Sequence, residues 1–107
     1  GSFDEALQEY RQTLAIKPRH PQAQNNIGVI FWNLKAYERA EMEFKKALDI
    51  QQDLPEIHHN LAALHLINNR YANAIPYLEQ VLKLQPGNAT ARKWLDHALG
   101  QMKKGPS

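Results

Sequence analysis

Apolar residues recur along this chain with two nested spacings. At short range they fall three and four residues apart, as in Ile27, Ile30, Phe31 and Leu34, which places them on one face of a helix. At long range the whole arrangement returns every 34 residues. Phe3, Tyr37 and Tyr71 form one column; Ala6, Ala40 and Ala74 a second; Tyr10, Phe44 and Leu78 a third. Leu14, Leu48 and Leu82 follow, then Ile16, Ile50 and Leu84. A second set repeats likewise: Asn26 and Asn60; Ile27, Leu61 and Leu95; Gly28 and Ala62; Ile30, Leu64 and Ala98. A fixed period of this length marks a solenoid of small units, none of which can bury its apolar face alone.

Each full unit reads as two helices. In residues 21–54 the first carries Ile27, Ile30, Phe31 and Leu34, Ala36-Tyr37 makes the break, and the second carries Tyr37, Ala40, Phe44, Ala47, Leu48 and Ile50. Residues 55–88 repeat this with Leu61, Leu64 and Ile67, then Tyr71, Ala74, Ile75, Leu78, Val81 and Leu82. Gly28 and Ala62 fall where the first helix meets the second, and Ala40 and Ala74 answer them; such small residues let helices approach to about 8 Å. Pro18 and Pro86, two periods apart, read as stop signals after second helices. Gln52 occupies the matching slot in the middle unit and Pro55 comes three residues later, so a longer or differently shaped turn is expected there. Pro76 lies inside a second helix, where a mild bend is expected.

The skeleton resembles the tetratricopeptide repeat, whose pattern is W-x-x-L-G-x-x-Y, then A-x-x-x-F, then P. The middle unit supplies Gln24, Ile27, Gly28 and Phe31, then Ala40 and Phe44; the next supplies His58, Leu61, Ala62 and His65, then Ala74, Leu78 and Pro86. The opening segment supplies only Ala6, Tyr10 and Pro18. Departures are Gln24 and His58 for tryptophan, His65 for the aromatic and Gln52 for proline. The resemblance covers residues 3–100 and implies an all-α fold, a right-handed superhelical solenoid of antiparallel helix pairs with about six helices.

Domain organisation follows the register. Gly1-Ser2 reads as an expression scar, 3–20 as the second helix of a truncated repeat, 21–54 and 55–88 as full repeats, 89–104 as a capping helix, and 105–107 as a flexible tail. A start in mid-repeat is expected of a fragment of a longer array, with Leu7, Tyr10 and Leu14 partly uncovered. On the last helix Ala91, Leu95, Ala98 and Leu99 form the inner face, while Arg92, Lys93, Asp96 and Gln101 form a polar cap.

In this family the first helices line a concave wall, so the resemblance implies a peptide-binding groove. By spacing its residues are Gln22, Asn25, Asn26, Val29, Trp32 and Asn33; then Glu56, His59, Asn60, Ala63, Leu66 and Ile67; then Thr90, Lys93, Trp94, His97 and Gln101. The lining is neutral and rich in amides, which offer a donor and an acceptor to a peptide backbone. Val29, Trp32, Leu66 and Ile67 would select apolar side chains. Asn26 and Asn60 are equally suited to bonding backbone within the solenoid, and Trp94 suits packing better than ligand contact. Relatives that clamp the carboxylate tails of chaperones use Lys and Asn in one repeat, Asn in the next, and Lys and Arg in the third; the corresponding residues here are Asn25 and Val29, Asn60, and Thr90 and Trp94, of which only Asn60 matches, so that ligand is not expected.

Composition narrows the function without adding chemistry. The chain has 107 residues, 43% of them hydrophobic, and 13 Lys+Arg against 11 Asp+Glu give a net charge of +2, too small a field to favour nucleic acid or an anionic membrane. Eight of those cations (Lys17, Arg19, Lys35, Lys45, Lys46, Lys83, Lys103 and Lys104) scatter over helix ends and outer faces. There is no cysteine and no apolar run of about 20 residues for membrane insertion. The compartment is left unassigned, with the cytoplasm as the default. His58 and His65 read as half-buried packing residues; His59 and His97 could approach each other, yet two imidazoles make a poor zinc site. With no phosphate loop, nucleophile elbow or carboxylate pair, no enzyme, metal or cofactor is expected. The partner expected is another protein or peptide segment, and the rival is a homo-oligomer assembling through terminal or convex faces.

Overall fold

The computed structural model describes residues 2–104, so the expected 105–107 tail and Gly1 lie outside the described residues. Those residues form six α-helices and no strand: α1 (Ser2–Ile16), α2 (Pro21–Asn33), α3 (Tyr37–Ile50), α4 (Pro55–Ile67), α5 (Tyr71–Leu84) and α6 (Ala89–Lys104). They gather into two compact units, one through Gln52 and one from Asp53. The all-α helical-repeat fold read from the periodicity is what forms.

The turn inside each repeat has the same construction twice, and it explains why the helices stop where they do. Lys35 and Asn69, one period apart, sit in the left-handed region with φ of 62° and 58°. Around them the Ala36 N–H donates to the Phe31 carbonyl at 2.8 Å and the Lys35 N–H to Trp32 at 2.8 Å. The Arg70 N–H donates to His65 at 2.8 Å and the Asn69 N–H to Leu66 at 3.0 Å. This paired bonding satisfies the last carbonyls of α2 and α4 and reverses the chain.

The turns between repeats are uniform. Helices end at residues 16, 50 and 84 and resume at 21, 55 and 89, so the turn expected to be longer in the middle unit has the common length. Pro55 is the reason: it takes the first helical position of α4, where a missing N–H costs nothing, as Pro21 does in α2. The turns differ in their caps. His20 Nδ1 accepts from the Ala23 N–H at 3.0 Å, and Asn88 Oδ1 accepts from the Ala91 N–H at 2.9 Å. Leu54, in the same column, offers no side-chain cap. Helix α5 runs through Pro76 without a break.

In the first unit α2 packs on α3 and, less extensively, on α1. Ala40, Phe44 and Ala47 are fully buried, with Ile27 and Ile30 nearly so. No residue of α1 is fully buried, and Leu7, Tyr10 and Leu14 are half-buried. A Cβ placed on Gly28 would lie 2.6 Å from Phe44 Cε1, so it is the Phe44 ring that fills the space left by the missing side chain. In the second unit α5 packs against both α4 and α6. Its core holds Ala62, Ala74, Leu78, Val81, Ala91 and Leu95, with Leu66, Ile75, Tyr77, Leu82 and Trp94 packed around it. Leu34 and Ile67, which continue the apolar spacing of the first helices, are about half exposed because they lie at the helix ends. Leu99 is likewise exposed.

The columns that depart from the tetratricopeptide pattern carry a polar core in each unit. In the first, Gln24 Nε2 donates to the buried Glu43 carboxylate, and Lys46 Nζ and Arg39 Nε lie 3.6 and 3.9 Å from it. The Arg39 guanidinium also stands 4.8 Å over the Phe31 ring. In the second, the same three columns place His58 and His65 against Tyr77, with ring centroids 6.1 and 5.8 Å apart. Both histidines are buried rather than half-buried, at 7% and 2% exposure. Tyr77 covers them where Glu43 stands one period earlier.

Candidate functional site

The expected ligand-facing residues belong to α2 in the first unit and to α4 and α6 in the second. On α2, Gln22, Val29 and Asn33 are exposed, Asn26 and Trp32 are half-buried, and Asn25 is buried at 7% exposure. Trp32 makes an edge-to-face contact with Tyr37 across the repeat's inner turn, centroids 6.1 Å apart. That contact holds the indole with one side against protein.

The second unit has the more developed site. Glu56, Ile67, Lys93 and His97 are exposed, while His59, Asn60, Ala63 and Leu66 are half-buried. Thr90 is exposed and Gln101 half-buried. His59 of α4 lies against Trp94 of α6, ring centroids 4.5 Å apart and tilted by 31°. His97, one turn further along α6, meets Tyr71 of α5 edge-on at 5.8 Å. The two histidines considered as a pair thus each take an aromatic partner. Burial lowers the His59 pKa below the usual histidine value, which keeps the ring neutral near pH 7.

Beside His59 opens a cleft of about 240 Å³, lined by Pro55, Glu56, His59, Asn60, Gln85 and Asn88. The first turn of α4 forms one wall and the turn into α6 the other. On the second wall the amides are oriented by the helix cap. Asn88 Oδ1 accepts from the Ala91 N–H, and its Nδ2 donates to Gln85 Oε1 at 3.0 Å, so the oxygen end of the Gln85 amide faces Asn88. Gln85 and Asn88 belong to no first-helix face, and spacing along α4 and α6 does not reveal them. Their signal in the sequence is the N-cap position of Asn88 ahead of α6.

Chemically the face offers amides, two aromatic–imidazole contacts and one carboxylate. Among the described residues no three His, Asp or Glu side chains gather as metal ligands, and no helix is long and apolar enough to cross a membrane.

Helix pairs returning at a constant period, with tight small-residue contacts inside each pair, define an all-α helical-repeat protein. The chain belongs to the tetratricopeptide repeat family: a family model of that description matches residues 19–87, and a second, described as TPR repeat, matches residues 1–35. It is 35% identical over 86 residues to the BBSome complex member BBS4 of Mus musculus, covering 80% of this chain and 16% of that protein. The chain thus spans about a sixth of the length of that curated relative. Among solved structures it is similar to MamA from Desulfovibrio magneticus RS-1, with a TM-score of 0.87 and 27% identity over 97% of this chain and 59% of that one. The first TPR of Spaghetti (RPAP3), solved bound to the HSP90 peptide SRMEEVD, superposes with a TM-score of 0.85 at 22% identity, covering 94% of this chain and 82% of that chain. This last likeness is one of fold.

Proposed function

We propose that the chain is a protein-interaction module, without catalytic activity, that seats a peptide or helix of a partner protein on the faces of its first helices. In this reading the repeats span 21–54 and 55–88, with the second helix of a further repeat before them and a closing helix at 89–104. The observation that carries the proposal is the second unit's α4–α6 face. There the His59–Trp94 contact gives a partly buried aromatic surface, and a cleft edged by Asn60, Gln85 and Asn88 lies beside it. An apolar surface bordered by oriented amides holds a peptide by its side chains and its backbone together. The family relationship supports this use, since a solved neighbour carries a bound peptide. Scattered cations on helix ends argue for a protein partner over nucleic acid.

The test is selection from a peptide library displaying segments of natural proteins. The parent chain is compared with an Asn26→Ala, Asn60→Ala, Trp32→Ala variant of unchanged helicity and melting. Peptides enriched by the parent and lost by the variant support the first-helix faces. Equal recovery with both removes Asn26, Trp32 and Asn60 from the site.

A further inference from the structure

The first and last helices each carry a stripe that the inner helices bury and they do not. In α3, which packs on α2, the residues Ala40, Glu43, Phe44 and Ala47 are buried. Their equivalents one period earlier in α1, Ala6, Glu9, Tyr10 and Thr13, are exposed or half-buried. At the other end, Gln24 and Gly28 of α2, and His58, Ala62 and His65 of α4, are buried. In α6 the same columns hold Arg92, Asp96 and Leu99, all exposed. The uncovered stripe of α6 is thus the first-helix half of a repeat, and that of α1 the second-helix half.

The two stripes are complementary in charge and in register. Inside the first unit the Gln24 amide donates to the buried Glu43 carboxylate, with the Arg39 guanidinium beside it. In the uncovered stripes the Gln24 column holds Arg92, the Glu43 column Glu9 and the Arg39 column Glu5. An α6 and an α1 paired as α2 and α3 are would set one guanidinium against two carboxylates, a geometry that permits bidentate bonding. Leu99 would be covered at the same time, in the column of Phe31 and His65. One column resists close approach. Asp96 stands where Gly28 and Ala62 do, and there it would meet Tyr10, in the column of Phe44 and Leu78. The helices must sit further apart at that point than α2 and α3 do, which makes the contact a reversible one.

We propose that these faces of α6 and α1 are the two sides of one interface between copies of this chain, each junction completing a helix pair with Arg92 against Glu9 and Glu5 at its centre. Such a contact joins unlike faces and so passes from copy to copy. Trp94 and His97 lie on a neighbouring stripe of α6, so the junction stands apart from the peptide reading above.

Sedimentation velocity at low ionic strength, from micromolar to millimolar concentration, reads the association. Species larger than the monomer are expected to grow with concentration. Arg92→Glu and Glu9→Arg, both at exposed positions, should each weaken association by about 10-fold or more, because like charges then face each other. An equimolar mixture of the two variants should recover it, since alternating copies pair opposite charges at every junction. Asp96→Ala, which restores the small residue of the inner pairs, should strengthen it. Circular dichroism checks that all variants keep the parent's helicity. A chain that stays monomeric throughout overturns the inference and leaves both faces to another polypeptide. Association lost in Glu9→Arg but kept in Arg92→Glu overturns it in favour of α1 meeting α1. A mixture no more associated than its components, or an Asp96→Ala chain that associates less than the parent, overturns it as well.

Discussion

Gly28 and Phe44 form a size-matched pair, and the next repeat solves the same contact with Ala62 and Leu78. An alanine Cβ at Gly28 would sit 2.6, 2.7 and 3.1 Å from three atoms of the Phe44 ring, where carbon atoms prefer about 3.5–4.0 Å. The ring must therefore move by about 1 Å, and it is fully buried. Overpacking of this kind costs about 1–3 kcal/mol, and a clash this deep belongs near the upper end. Replacing Gly by Ala within a helix returns about 1 kcal/mol, so Gly28→Ala is expected to destabilise by about 2 kcal/mol. Phe44→Leu alone leaves a void and costs about 1–2 kcal/mol, below the range for full truncation of a Phe. The double variant recreates the Ala62–Leu78 contact, whose members share one core. The added methyl then fills the void instead of meeting the ring, so the double variant should be at least as stable as Phe44→Leu. The coupling should exceed about 1 kcal/mol, well above the 0.3–0.5 kcal/mol scatter of independent sites. Urea unfolding followed by circular dichroism at 222 nm measures all four corners of the cycle. Additive effects, or a Gly28→Ala variant more stable than the parent, would refute the size-matching argument.

Two further outcomes test other parts of the structure. Lys35 holds a left-handed conformation that Asn69 holds one period later. Because Asn tolerates this region better than Lys, Lys35→Asn should raise stability by about 0.5–1 kcal/mol, and a melting point no higher than the parent's would contradict it. His59 supplies a pH dependence whose sign is set by its lowered pKa. The unfolded chain takes up the proton more readily than the folded one, so the stability His59 contributes is whole above about pH 6.5 and declines as the pH falls toward the folded-state value. The loss between pH 7.5 and 5.5 should be smaller in His59→Gln than in the parent. Trp94 emission should follow the same titration in the parent through the neighbouring imidazole, and equal pH slopes in the two proteins would exclude His59 as the source.

The helical architecture is legible in the residues because burial imposes the same small and large side chains at each turn of the period. Within the two full repeats the columns of Ala40 and Ala74, and of Phe44 and Leu78, are buried. What periodicity does not display is pairing between polar residues far apart in sequence. Gln24 reads only as a missing tryptophan until α3 brings Glu43 to it, and His58 until α5 brings Tyr77. Gln24, His58 and His65 are each answered by a residue on the facing helix, and a single position seen alone contains no sign of its answer. The turn at Gln52 makes the related point that proline is one of several ways to end a helix. Pro55 starts α4 in register, so the length of the turn survives the loss of the stop signal.

The same distinction separates the two halves of the site. Residues that project from one helix, such as Asn60 or His97, follow from spacing, because a helix face is a local property. The engagement of the Gln85 amide oxygen depends on a chain of hydrogen bonds running from the Ala91 N–H through Asn88, and only a folded turn supplies it. Helix capping, ordinarily a matter of stability, here also engages the Gln85 side chain. Asn88→Asp keeps the cap oxygen but replaces the amino group that engages Gln85, freeing the Gln85 side chain to turn. If that engagement matters, the substitution should weaken peptide retention while α6 stays capped, whereas loss of helicity together with retention would leave the cap as the whole of its role.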